Sequence, residues 1–328
     1  MMATCSAALP RPVRPRLLPP AYGLVPIHRM HLGDTLILDT FAEAFRMRYA
    51  RVIVTAADAF WLDAALREFT GYSAIVIGCD AEVGVERFLP AEETPDGRPG
   101  AAVLAFGFST EALGKALLNR VGQCLLPCAT TAVFNGLVAS DADEVEFVPL
   151  GRSLRFFGDG FQKSKISGDR RYWRIPAMDG EILVEEQLGV GKGIAGGNII
   201  IQGATQAETL AAARRGVESI AETPGVITPF PGGVVRSGSK VGSKYKALRA
   251  STNDAFCPTL RGRVQSELVE GAQCAYEIVI NGIDEASIAA ATRACIHAAA
   301  SEGILAIGAG NYGGKLGKFH FHLHKLLQ

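Results

Sequence analysis

The chain has none of the features that would place it in a membrane, on nucleic acid or around a nucleotide. Its apolar runs fall well short of the roughly 18 residues that a bilayer-spanning helix needs, so a soluble protein is expected. Neither charge is in excess: 33 Lys plus Arg stand against 33 Asp plus Glu. That balance argues against a broad basic surface for nucleic acid or anionic lipid and leaves any cationic site local. The first predicted strand is not followed by Gly-x-Gly-x-x-Gly, and there is no P-loop, so nucleotide binding lacks support. The seven cysteines are an odd number, and Cys124 with Cys128 has no second pair at zinc-site spacing. Reduced thiols in a cytosolic chain are expected. Acidic residues are missing from residues 1–29, which are rich in Pro, Ala and Arg. Either a transit peptide without a clear amphipathic period or a start codon placed upstream of a true start at Met30 accounts for this composition. On both readings residues 1–33 form a disordered extension without function.

What is present is enough chain, 328 residues with 48% hydrophobic, for two domains with their own cores. They are expected over 34–176 and 177–328. Residues 40–48 are predicted to be a helix, because Thr40 and Glu43 have capping-box spacing and Phe41 and Phe45 share a helical face. A strand at 50–56, a helix at 58–69 and a strand at 73–79 make one β-α-β unit. A strand at 101–106, a helix capped by Ser109 and running to about Gln123, and a strand at 129–134 make the next. The second half repeats the series, with strand 198–203, helix 206–221 and strand 225–230, then strand 275–281, helix 285–300 and strand 304–307. Two β-α-β units per half predict an α/β (α+β) fold of two ferredoxin-like split β-α-β sandwich lobes from a duplicated unit. A doubly wound sheet is the alternative.

Three loops attract attention. Residues 230–259 string glycines, hydroxyl residues and Lys240, Lys244 and Lys246 between two strands with no regular period. Such a segment suits an anionic ligand. Residues 89–100 are rich in proline and glycine, and Asp96 with Arg98 could orient a ligand there or simply line a solvated turn. Phe156 and Phe157 run into a Gly-Asp-Gly turn around Asp159. Near the C terminus, His320, His322 and His324 alternate, which in a strand would put three imidazoles on one face as a candidate metal site. No nearby acidic residue offers a base, and packing or a subunit contact is the better reading.

Several of these stretches resemble formylmethanofuran:tetrahydromethanopterin formyltransferases. The resemblance rests on DTFAEAF from Asp39, PAEETPDGRPG from Pro90, RVGQC from Arg120, FFGDG from Phe156, FPGG from Phe230 and SKVGSK from Ser239. It continues through ASTNDA from Ala250, YEIVING from Tyr276 and GNYGGKLG from Gly310, and so covers residues 34–328 in one order. It implies a cytosolic homotetramer of two α/β lobes with active sites near subunit contacts. The implied reaction moves a formyl group between N5 of tetrahydromethanopterin and the amine of methanofuran. Both carriers are then cosubstrates, with no permanently bound cofactor, no metal and no covalent formyl enzyme. The neutral, Ala- and Arg-rich composition is similar to the methylotroph version, which would pass the formyl group to the furan carrier in a complex with hydrolase subunits.

The chemistry sets its own requirements. An amine attacking an N-formyl carbonyl passes through a tetrahedral oxyanion, and the departing amine must be protonated. Glu277, inside the apolar strand 276–280, is where burial would keep a carboxyl group available as a proton carrier. A carboxylate on the solvated face is the plain alternative. The resemblance places the family's catalytic carboxyl on Glu277 and the substrate contacts on Asp96, Arg98, Asp159, Lys240, Lys244, Ser251, Asn253 and Asp254. Glycine-loop N–H groups and Asn253 are candidate oxyanion donors. A non-catalytic scaffold subunit and a histidine-based metal hydrolase are the competing readings.

Overall fold

The computed structural model describes residues 30–73, 78–137, 144–238 and 240–328. The predicted strand at 73–79 lies mainly on residues outside that set. In chain order the strands are β1 (Met30–Leu32), β2 (Thr35–Ile37), β3 (Phe41–Thr55), β4 (Glu82–Leu89), β5 (Gly100–Gly107), β6 (Ala132–Asn135), β7 (Glu146–Val148), β8 (Lys163–Ser167), β9 (Arg170–Ala177) and β10 (Gly180–Glu185). They continue as β11 (Leu188–Gly203), β12 (Val226–Ile227), β13 (Lys240–Val241), β14 (Ala250–Ser251), β15 (Cys274–Gly282), β16 (Ile304–Gly308) and β17 (Phe319–His322). The α-helices are α1 (Ala59–Thr70), α2 (Thr110–Arg120), α3 (Gly151–Leu154), α4 (Gln206–Ile220), α5 (Glu285–Ala299) and α6 (Leu323–Leu326).

The two halves fold alike. In the first, β3, α1, β4, β5, α2 and β6 give the strand order β6-β3-β5-β4, antiparallel throughout. In the second, β11, α4, β12, β15, α5 and β16 give β16-β11-β15-β12, again antiparallel. Both are the split β-α-β arrangement, and the antiparallel pairing removes the doubly wound alternative. The long helices start where local chemistry dictates: the side chains of Asp58, Ser109, Thr205 and Asp284 each accept a first-turn N–H. Each half has its own apolar layer, Val52, Leu66, Val103 and Leu117 in the first and Ile199, Ile278, Ile288 and Ile296 in the second.

β3 and β11 are long enough to serve both halves. Their leading residues pair with each other, Gly191 opposite Tyr49 and Ala195 opposite Phe45, fusing everything into one sheet of 15 strands. The halves also exchange edges, since β7 pairs with β11 and β17 pairs with β3. The meander β8-β9-β10 attaches through β10, parallel to β6.

Four expectations are corrected. Residues 41–48 are strand, not helix: β17 and β11 supply backbone partners along them, and an i, i+4 apolar pair such as Phe41 and Phe45 also shares a face at period 2. Residues 30–32 are ordered as β1, which pairs with β2, and β2 runs parallel to β16, so the extension ends earlier than 33. The strand expected at 225–230 is only two residues, and that expected at 129–134 begins at Ala132, after Thr130 turns at φ +66°. The strand β4 was missed.

Candidate active site

Alternation along β11 and β15 builds the floor of the site. Ile199, Ile201, Ile278 and Ile280 face α4 and α5 and are fully buried. Their neighbours Asn198, Glu277 and Val279 therefore face the other way, onto a cleft of about 520 Å³. Glu43, Phe45 and Met47 enter it from β3 by the same alternation, while Ala42 and Ala44 go to the core. Phe108, Phe230, Phe256 and Leu316 supply apolar wall. An apolar cleft with a few polar groups aimed inward is the usual form of a small-molecule site.

Glu277 is 5% exposed. Its backbone is held on both sides, opposite Ile200 of β11 and through two hydrogen bonds of 2.7 and 3.1 Å with Val235. Its Oε1 accepts from Asn198 Nδ2 at 2.6 Å, and Asn198 Oδ1 accepts the Gly310 N–H at 2.8 Å. The backbone donor fixes the amide orientation, so nitrogen faces the carboxylate. A second copy of this relay stands on the same strand. Asn281 Oδ1 accepts the Gly196 N–H at 3.0 Å, and its Nδ2 donates to Glu82, another buried carboxylate lining the cleft.

Glu43 is 2% exposed. Burial alone would raise its pKa, but four backbone N–H groups outweigh that and hold the carboxyl below its ordinary range. They come from Tyr312 and Gly314 at 2.7 and 3.0 Å on Oε2, and from Leu316 and Gly317 at 2.6 and 2.5 Å on Oε1. The Tyr312 hydroxyl accepts the Val241 N–H at 3.1 Å. Burial pushes that phenol up, and the negative charges of Glu277 and Glu43 add to the effect.

The loop at 230–259 runs beside the cleft as a short hairpin, β13 with β14, followed by turns. It contributes Lys240, Asn253 and Asp254 to the lining, so these join Glu277. Lys240 Nζ lies 2.6 Å from Asp254 Oδ1, and that hydrogen bond holds the Asp254 carboxyl below its usual range. Ser251 pairs with Lys240 across the hairpin but does not line the cleft, and Lys244 lies in the connection beyond β13. Asp96 and Arg98 are elsewhere. Asp96 Oδ2 takes Thr55 Oγ1 at 2.8 Å and Arg98 Nε at 2.9 Å, and Arg98 also reaches Thr55 and the Thr130 carbonyl. Thr55 ends β3, roughly 25 Å along the strand from Met47 at 3.3 Å per residue. Asp159 is exposed on the first half at φ +49°, capping a turn.

The three C-terminal imidazoles do not share a face, because the strand ends at His322 and His324 enters α6. His320 Nε2 meets the Gly317 carbonyl at 3.1 Å, and His324 Nε2 meets the Ile37 carbonyl at 2.8 Å. Sequence reasoning missed Glu43, Asn198, Gly310 and Tyr312. Glu43 and Tyr312 do stand within the DTFAEAF and GNYGGKLG runs on which the resemblance rests. Glu82 had no such signal.

The comparisons with known proteins agree with this site. Residues 30–177 match the family described as formylmethanofuran-tetrahydromethanopterin formyltransferase, and residues 180–326 match its proximal lobe. The chain belongs to the formylmethanofuran-tetrahydromethanopterin formyltransferase family. As a member it is a formyltransferase. It is 51% identical over 302 residues to the formylmethanofuran-tetrahydromethanopterin formyltransferase of Methylobacillus flagellatus, covering 91% of this chain and 100% of the relative. A crystal structure of the formyltransferase/hydrolase complex of Methylorubrum extorquens with methylofuran superposes with a TM-score of 0.87 at 45% identity, over 92% of this chain and 99% of the matched chain. The formyltransferase of Methanosarcina barkeri superposes with a TM-score of 0.84 at 48% identity, over 90% and 100% of the two chains. No helix among the described residues of this formyltransferase is long and apolar enough to cross a membrane.

Proposed function

We propose that this formyltransferase moves a formyl group between N5 of tetrahydromethanopterin and the amine of a methanofuran-type carrier, both acting as cosubstrates. The observation that carries the mechanism is Glu277, a carboxyl group 5% exposed at the floor of an apolar cleft and tied to Asn198. The incoming amine forms a bond to the formyl carbon, and the carbonyl electron pair moves onto oxygen. When that oxyanion collapses, the bond to the departing amine breaks. Glu277 takes the proton from the attacking nitrogen and returns it to the leaving one, so charge balances without a covalent intermediate. Backbone N–H groups of the glycine loops and Asn253 supply donors for the oxyanion. The scaffold alternative is disfavoured because the buried carboxyl and its relay are intact.

The likeness to a hydrolase-complex structure and to methylotroph relatives supports transfer from formyl-tetrahydromethanopterin to the furan carrier, in a cytoplasmic assembly with hydrolase subunits. Each half is read as one lobe, over 34–176 and 177–328, and the unit as a homotetramer with subunit contacts near the cleft. Purified protein mixed with formyl-tetrahydromethanopterin and methanofuran should transfer the formyl group, and no transfer in either direction rejects the function. Light scattering at working dilution should give a tetramer mass; an active monomer rules that out.

A further inference from the structure

We propose that Glu43 is the positioning residue of the site: its carboxylate holds the backbone of the loop at 310–317 and thereby places Tyr312 in the cleft that holds Glu277. This deepens the function proposed above. No neighbouring cation explains the charge of Glu43; four N–H groups from one loop do, two on each oxygen at 2.5 to 3.0 Å. Charge-assisted bonds of this kind are the strong class. The loop turns at Gly313 and Gly314, with φ of +70° and +72°, and has no regular structure of its own. What holds it is the strand bearing Glu43, aided by Asn311 Nδ2 on Thr40 Oγ1 and the Phe41 carbonyl. At Gly317 the approach is close enough that a Cβ would lie 2.3 Å from the Ala44 carbonyl oxygen.

The loop then meets the site at two points. Gly310 N–H orients the Asn198 amide toward Glu277. Tyr312 lines the cleft and receives the Val241 N–H, so it spans from the Glu43 anchor to the hairpin that carries Lys240. Glu43 comes from the first half of the chain and everything it holds comes from the end of the second. A carboxamide in its place would keep one acceptor oxygen and turn an N–H pair toward two backbone donors.

The test combines amide exchange with a double-mutant cycle. The Tyr312, Gly314, Leu316 and Gly317 amides should exchange slowly in the native protein and much faster in Glu43→Gln. Tyr312→Phe should leave the Gly314, Leu316 and Gly317 amides slow. In formyl transfer Glu43→Gln should lose roughly 10²-fold in kcat/KM, the scale of a misplaced site. Tyr312→Phe should also lose activity, and the double variant should be little worse than Glu43→Gln alone. Multiplying losses, native activity in either single variant, or unchanged exchange of all four amides in Glu43→Gln would each overturn the proposal. If Glu43→Gln does not fold, Glu43→Asp, which keeps the charge but shortens the reach, carries the same cycle and exchange measurement. Exchange reads the anchor without turnover, so an inactive native protein would reject the proposed function and leave this test standing.

Discussion

Asn198 donates to Glu277 diagonally across two antiparallel strands, Nδ2 to Oε1 at 2.6 Å, and it does so because Gly310 N–H occupies its other end. The pair sits where β15 pairs with β11 on one side and with Val235 on the other. The carboxyl group therefore has little freedom to leave the cleft, which is what proton transfer between two bound amines requires.

Glu277→Gln keeps an oxygen for Asn198 to bond but removes the exchangeable proton. Formyl transfer should fall in kcat by roughly 10² to 10⁴, the usual contribution of a positioned acid or base, with KM little changed. Steady-state kinetics on a folded variant of native assembly state checks it. Near-normal kcat would end the assignment, leaving Glu82 or Asp254 as the next carboxyl groups of the cleft to examine.

Asn198→Asp replaces the donor with a second carboxylate beside the first. Like charge favours protonation, so the acid limb of the kcat/KM profile should move to higher pH. Asn198→Ala should lose rate without that upward movement. A profile for Asn198→Asp that coincides with the native one shows that the contact does not reach the reacting group.

Lys240 and Lys244, spaced four apart, are not equivalent in the structure. Lys240 lines the cleft and pairs with Asp254, whereas Lys244 is outside the lining. If a carboxylate-bearing carrier tail lies along the hairpin, Lys240→Glu should raise its KM about tenfold with a smaller change in kcat, because such contacts are alike in ground and transition states. Lys244→Glu should have the lesser effect. Equal KM values for both variants and the native enzyme would remove these lysines from tail binding.

Glu43 also predicts an acid-sensitive stability. Its folded-state pKa lies below the ordinary 4.5, so its contribution is complete above that value and is lost as pH falls through the depressed one. The stability gap between the native protein and Glu43→Gln should hold steady from pH 7 to about 5 and narrow at lower pH. Thermal melts across this range would show it; a gap that widens on acidification contradicts the assigned direction.

The duplicated β-α-β series and four helix starts were legible in the chain because they depend on neighbours: a cap at Asp58, Ser109, Thr205 or Asp284 bonds within its own first turn. Residue order also located Glu277 and the loop at 230–259, through alternation, composition and a resemblance carried by local motifs. Tertiary structure decided the rest. Whether Phe41 and Phe45 belong to a helix or a strand is open locally, since both periods put them on one face. The backbone partners on β11 and β17, far along the chain, settle it as strand. Once 41–48 is strand, the carboxyl group of Glu43 is no helix cap; it meets N–H groups some 270 residues away. Asn198, Glu277 and Gly310 likewise join only after the sheet has formed, because hydrogen-bond partners at such separations are set by strand register and not by local preference.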